Sequence, residues 1–144
     1  MNVKSAIWWS GACAVALSVG MLASPRAQMA DGALGTASLP RAVVADGQPL
    51  AAGTYTLRLS DAAVGPVLGL PADSGQWVEF VQGGNVRGRE LATKVAAADV
   101  GTIAKTNPPS PGTVRVEMLK SQDYVRIWVN LAGTHYLIHL AVEG

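Results

Sequence analysis

The stretch "DYVRIWVNLAGTHYLIHLAV", Asp123 to Val142, decides the fold. It holds His135 and His139, the only 2 histidines of the chain, four residues apart. On a helix that spacing stacks two imidazoles one turn apart and suggests a metal site. On a strand it leaves them about 13 Å apart, too far to share one ion. "YVRIWVNL" and "THYLIHLAV" alternate apolar with polar residues, as does "TVRVEMLK" just upstream, and β-branched and aromatic residues are dense in all three. They read as strands.

A tight turn at Ser121-Gln122 sets Met118 against Val125, Val116 against Ile127 and Val114 against Val129. A second turn at Ala132-Gly133 sets Val125 against Leu140, Ile127 against Ile138 and Val129 against Tyr136. The central strand then uses one apolar face in both hairpins. A one-residue change in the second loop would pair Val129 with His135 and mix the faces, which a half-buried sheet penalises along its length.

The opposite face has its own rows. Glu117, Arg126 and His139 form one, Arg115, Trp128 and Leu137 the next, and Asn130 pairs with His135. Two readings stand. In one this is an outer sheet face held by cross-strand pairs worth about 0.2–1 kcal/mol each, with Arg115 on Trp128 as a cation–π contact. In the other it is a shallow ligand-binding face, with Trp128 as platform and Arg126, Asn130 and His135 supplying hydrogen bonds to a sugar or peptide, flanked by Arg115, Glu117 and His139. The stretch "ATKVAAADVGTIAKTNPPSPG" is the part of the chain that would cover such a face. No metal is expected there, because one histidine with a carboxylate falls short of the usual ligand sets.

Outward from the meander, short apolar runs alternate with turn signals, the mark of an all-β domain. "ASLPRAVV" is a first strand candidate, and Asp46-Gly47 is in the favoured hairpin order. "TYTLRLS" puts Tyr55, Leu57 and Leu59 on one face. "QWVEFVQ" and "NVRGRELATKV" flank Gly83-Gly84 as a hairpin with two open registers. A two-residue loop pairs Phe80 with Arg87 and Val78 with Arg89; a three-residue loop pairs Glu79 with Arg89 and Val78 with Glu90. "AADVGTIAK" reads as one helical turn with Asp99 as its cap. "TNPPSPG" reads as an extended loop.

Residues 1–30 have the layout of a secretory signal peptide: Lys4, then the apolar and small run Ala6–Ala23, then "SPRAQMA" with small residues after which a peptidase would cut, at Ala27 or Ala30. Cys13 reads as an apolar residue of that run, not as a lipidation site. The rest, 31–144, is long enough for a single domain with one core. Without Lys4 and Arg26, nine of the 11 basic residues face 10 acidic ones, a net charge of −1. No basic footprint for nucleic acid or anionic lipid remains, so membrane contact is expected only through an uncleaved leader. A cysteine-free domain suits an oxidising compartment and excludes a disulfide scaffold and thiol catalysis.

Catalytic motifs are missing: no G-x-S-x-G, no P-loop, no H-E-x-x-H. Arg126 stands between Glu117 and His139, holding the carboxylate ionised and lowering the imidazole's affinity for a proton, which spoils them as an acid–base pair. "GGNVRGRE" lacks the strand-to-helix context of a phosphate cradle and reads as a hairpin end with Arg87 and Arg89 exposed. Trp77 reads as core or rim.

One resemblance enters at "LAAGTYTLRL". Leu50-x-Ala52-Gly53-Thr54-Tyr55-x-Leu57 resembles the L-P-A-G-x-Y-x-L strand of many secreted bacterial β-sandwiches, including prealbumin-like domains of the Cna-B and carboxypeptidase-regulatory-like kinds. It also resembles small exported bacterial proteins with no assigned function. The likeness covers about ten residues, has Ala51 where proline is common, and implies a fold without transferring an active site. The expectation is therefore an antiparallel β-sandwich or partly closed barrel of about seven strands. The expected function is an exported, secreted or periplasmic, non-catalytic and cofactor-free module that binds a cell-envelope protein, peptide or glycan through the Trp128 face or an edge strand. The alternative is a structural or assembly component that packs through the Trp128 face, and a hydrolase is least favoured.

Overall fold

The computed structural model describes residues 32–144 apart from Lys105, so the expected signal segment lies outside the described residues. Nine strands and one helical turn follow in order: β1 (Ala33–Leu39), β2 (Val43–Ala45), β3 (Gln48–Leu50), β4 (Gly53–Leu59), β5 (Gly75–Gln82), β6 (Asn85–Ala96), α1 (Val100–Ile103), β7 (Val114–Leu119), β8 (Tyr124–Leu131) and β9 (Thr134–Val142). Every pairing is antiparallel.

The meander has the pairing its alternation demands. Val114, Val116 and Met118 of β7 face Val129, Ile127 and Val125 of β8. Those three face Tyr136, Ile138 and Leu140 of β9. Val125, Ile127, Val129, Ile138 and Leu140 are all fully buried. Burying each such side chain contributes about 1.5–3 kcal/mol, so the register is held by the whole row.

Seven strands run β1-β4-β5-β6-β9-β8-β7 and curl into a nearly closed barrel. Closure lacks only a ladder between β1 and β7, which lie against each other without pairing. The seam has a steric reason. β1 carries a bulge between Ala33 and Gly35, and Gly35 sits at φ +130. A Cβ there would meet Val114 Cγ2 at 2.6 Å, so only glycine lets β7 approach so closely.

The interior is filled by Leu34, Ala37 and Leu39 of β1, Tyr55 and Leu57 of β4, Val78 and Phe80 of β5, and the buried rows of β8 and β9. Tyr55 stands edge-on to Phe80, ring centroids 6.0 Å apart. Its hydroxyl donates to the Ala51 carbonyl at 2.7 Å, which satisfies the one polar atom this side chain brings inside. Leu59 packs at the margin of this core.

β9 pairs with β6 through Thr134–Leu137 and with β2 through Ala141 and Val142. The β2–β3 hairpin thus adds to the same edge of β9, beyond β6. Glu90 accepts the Asp46 amide at 2.7 Å, and Arg89 donates to Asp46 at 3.1 Å while lying 4.2 Å from the centre of the Trp77 ring. Pro49 is tolerated because β3 is an edge strand. The first strand candidate, 37–44, is corrected here: it joins the end of β1 to the start of β2, with the break at Pro40-Arg41.

Both registers considered for the β5–β6 hairpin occur. Gln82 pairs with Asn85 across a two-residue Gly83-Gly84 loop, then a bulge after Val81 shifts the ladder so that Glu79 meets Arg89 and Val78 meets Glu90. Arg87 is the extra residue. Four turns, Asp46-Gly47, Gly83-Gly84, Ser121-Gln122 and Ala132-Gly133, have positive φ at both central positions, which suits the right-handed strand twist. Asp99 occupies the cap position of α1, but its side chain makes no capping hydrogen bond.

Two substitutions test this account by chemical denaturation. Gly35→Ala is expected to lower stability by roughly 1–3 kcal/mol through overpacking against Val114. Ala132→Asn, placing an Asn-Gly pair where Ala132 is held at φ +50, is expected to raise it by up to about 1 kcal/mol.

Candidate functional site

The outer face of β7, β8 and β9 brings together the seven residues singled out from sequence. Glu117, Arg126 and His139 are aligned, as are Arg115, Trp128 and Leu137, and Asn130 pairs with His135. Arg126 Nε donates to Glu117 Oε2 at 3.0 Å. Arg115 Nε lies 2.7 Å from Glu117 Oε1 but off the N–H axis, so that contact is Coulombic and not a directed hydrogen bond. One carboxylate thus serves two guanidinium groups. Both flank the Trp128 indole, Arg115 at 4.9 Å and Arg126 at 5.5 Å from the ring centre.

Trp128 is no open platform, because it is only 1 % exposed. Its indole N–H donates to Nδ1 of His135 at 2.9 Å. Asn130 donates from Nδ2 to the Pro109 carbonyl at 2.9 Å and accepts the Gly133 amide at 3.2 Å. Arg115 donates to the Asn107 carbonyl at 2.7 Å. The connection between β6 and β7, in its described residues 97–104 and 106–113, folds back over this face. There Val100 and Ala104 join Val95, Trp128 and Leu137 in a second apolar cluster, outside the barrel. Gly112 and Thr113 finish the cover as backbone partners of Asn130.

Burial dictates the protonation state beneath the cover. An indole N–H only donates, so Nδ1 of His135 is an acceptor and the ring is neutral, with its proton on Nε2. Desolvation by burial lowers its affinity for a second proton. His139 is exposed on the same face, and its proton affinity is lowered by desolvation and then by the Arg126 charge. Among the described residues no group of three or more His, Cys, Asp or Glu gathers as a metal site. No helix among them is long and apolar enough to cross a membrane.

A second region went unread in the sequence. The 15 residues Ser60–Ser74 link β4 to β5 without regular structure. Trp77 Nε1 donates to the Ala63 carbonyl at 3.3 Å, Gln76 donates to the Ser60 carbonyl at 2.8 Å, and the Lys94 amide donates to the Ser74 carbonyl at 2.6 Å. Between these ties the loop leaves Leu68 fully exposed and Val64 and Val67 exposed by more than a third. It borders a depression of about 550 Å³ lined by Val64, Val67, Leu70, Gln76 and Lys94. A shallower one of about 370 Å³ shares Leu70, Pro71 and Lys94 and continues to Ile103 of α1. The available signal was compositional: "AAVGPVLGLPA" is too apolar for an ordinary solvated loop and too rich in glycine and proline for a strand.

Trp128→Ala is expected to cost about 3–5 kcal/mol in denaturation, as a fully buried ring would. The two lowered histidines set the sign of a pH effect. The unfolded chain binds protons more readily at both, so their contribution is complete above about pH 6.5 and is lost as pH falls toward their folded values. Unfolding free energy is expected to fall between pH 7 and 5, with a smaller slope in His135→Gln. Comparison of the chain with protein-family models, curated proteins and solved structures finds no match, so the prealbumin-like resemblance rests on Leu50–Leu57 alone.

Proposed function

We propose that this chain is an exported, non-catalytic interaction module that engages an apolar stretch of a protein or peptide partner in the cell envelope. The observation that carries the reading is the apolar loop Ser60–Ser74, fastened at its ends yet holding Leu68, Val64 and Val67 out to solvent beside a groove. Single exposed apolar residues are ordinary, but several on one tethered loop bordering a depression are the usual form of a contact surface. Export is supported by the leader-like residues 1–30 and by the lack of cysteine in 31–144.

Other readings have less support. A glycan site would want an open aromatic platform, whereas Trp128 is covered and Trp77 carries Arg89 on its ring. Assembly through the Trp128 face would compete with the chain's own 97–113 segment. For hydrolysis, both carboxylate oxygens of Glu117 are already engaged by arginines.

The test places a photo-crosslinking residue at position 68 in the full chain, with position 36, an exposed site on β1, as control. Irradiation of producing cells is expected to give a discrete adduct from position 68 and none from 36. Val67→Asp should abolish it while changing stability by less than about 0.5 kcal/mol. Equal labelling from both positions, or none from 68, sinks the proposal.

A further inference from the structure

The covered outer face contains one hydrogen bond whose existence depends on protonation. Trp128 Nε1 and His135 Nδ1 are 2.9 Å apart, both residues are buried, and only a neutral imidazole can accept there. A proton arriving at Nδ1 turns the acceptor into a donor. Two N–H groups would then point at each other, and the indole would have to move.

The surroundings do not welcome the new charge. On the same face β7 supplies Arg115 and Glu117, and β8 supplies Arg126. Glu117 is already engaged by both arginines, so an imidazolium would be a third positive charge facing a single carboxylate. On β6 the residue paired with His135 is the apolar Val95. Its neighbour Lys94 pairs with Tyr136 and belongs to the other face. The described part of the cover brings one charged side chain, the exposed Asp99; Lys105, in the same segment, lies outside the described residues. His139, the remaining histidine of the face, stands in the Arg126 row at the far end from the cover.

The C-terminal part of the cover is bonded to Arg115 and Asn130, but its helical turn is held only by apolar packing. α1 is a single turn of four residues without a side-chain cap, and Gly101, Thr102 and Ile103 are exposed. Its buried anchors Val100 and Ala104 rest in a cluster with Trp128, Val95 and Leu137, of which Trp128 is the largest side chain. Displacing the indole therefore removes much of the surface on which they sit. The barrel core lies on the opposite side of the same strands and keeps its own contacts. Segments with few buried contacts open locally without global unfolding.

We propose that residues 97–104 and 106–113, the described part of the β6–β7 connection, form an acid-released cover: the Trp128–His135 hydrogen bond seats it while the imidazole is neutral, and protonation of His135 lifts it to expose Trp128, Arg115 and Asn130. Below the switch the face offers an aromatic ring, a guanidinium freed from the Asn107 carbonyl and an amide freed from the Pro109 carbonyl. The proposal stands independently of the Ser60–Ser74 loop.

Amide hydrogen exchange of the purified full chain, corrected for the intrinsic pH dependence of exchange, tests it. Between pH 7.5 and 5.5 protection of 97–113 is expected to fall about tenfold, the loss of one buried hydrogen bond, while β4 and β5 stay protected. His135→Asn, whose side-chain oxygen stands at the position of Nδ1 and accepts the indole N–H at any pH, should abolish the fall, and His139→Gln should leave it intact. Protection independent of pH in the unmodified chain, or the same fall in His135→Asn, overturns the proposal. If His135→Asn does not fold, the Trp128 indole N–H signal, assigned with Trp128→Phe, replaces it. Its exchange with water must accelerate at the same midpoint as 97–113, and a different midpoint overturns the proposal equally.

Discussion

Strand β8 has a neighbour on each edge and a buried row on each face, and the rest of the structure is arranged around that double constraint. Val125, Ile127 and Val129 face the barrel interior, while Trp128 and Asn130 face the cover. Because side chains alternate with a period of two, a slip of one residue would send the indole into the core and a valine out beneath the arginines. Both ladders to β7 and β9 would fail together. The turns flanking β8 are correspondingly tight, even though Ser121, Gln122 and Ala132 must hold positive φ without being glycine.

Beneath the cover, polar groups are buried in an order that leaves few of them idle. Asn130 meets a carbonyl through its amide and a backbone N–H through its oxygen, Trp128 meets an imidazole, and Arg115 meets a carbonyl. Each such bond adds only about 0.5–1.5 kcal/mol net, but leaving any partner unmet at these positions would cost more. Their effect is to choose one path for residues 97–113 out of many. The apolar part of the cover is too small to make that choice alone, since Val100, Ala104 and Pro109 are its only buried side chains among the described residues.

The two long connections meet the barrel differently, and the contrast separates structure from recognition. The β6–β7 connection buries a ring and satisfies polar atoms, so it acts as part of the fold. Ser60–Ser74 is fastened by bonds to its ends and to Ala63, while Leu68 and its apolar neighbours face outward. None of Val64, Val67 and Leu68 belongs to either apolar cluster. That is the physical basis for the proposed interaction surface on this loop.

Local pattern determined much of this molecule. Alternation and turn chemistry specified the strands, and the pairing of β7, β8 and β9 followed to the residue because only one register matches apolar with apolar on both edges. The rows Glu117-Arg126-His139 and Arg115-Trp128-Leu137 were legible for the same reason. Where local signals tied, tertiary structure decided. The β5–β6 hairpin kept both registers by placing a bulge between them, and no single-period pattern encodes a change of period. Pro40 split one apparent strand between β1 and β2, since each half found a different neighbour. Whether the Trp128 face is open depended on contacts between residues about 20 to 30 positions apart: Val100 with Trp128, and Pro109 with Asn130. Two or three anchors spread over an irregular loop have no periodicity, so that contact becomes visible only when the barrel has brought the loop and the face together.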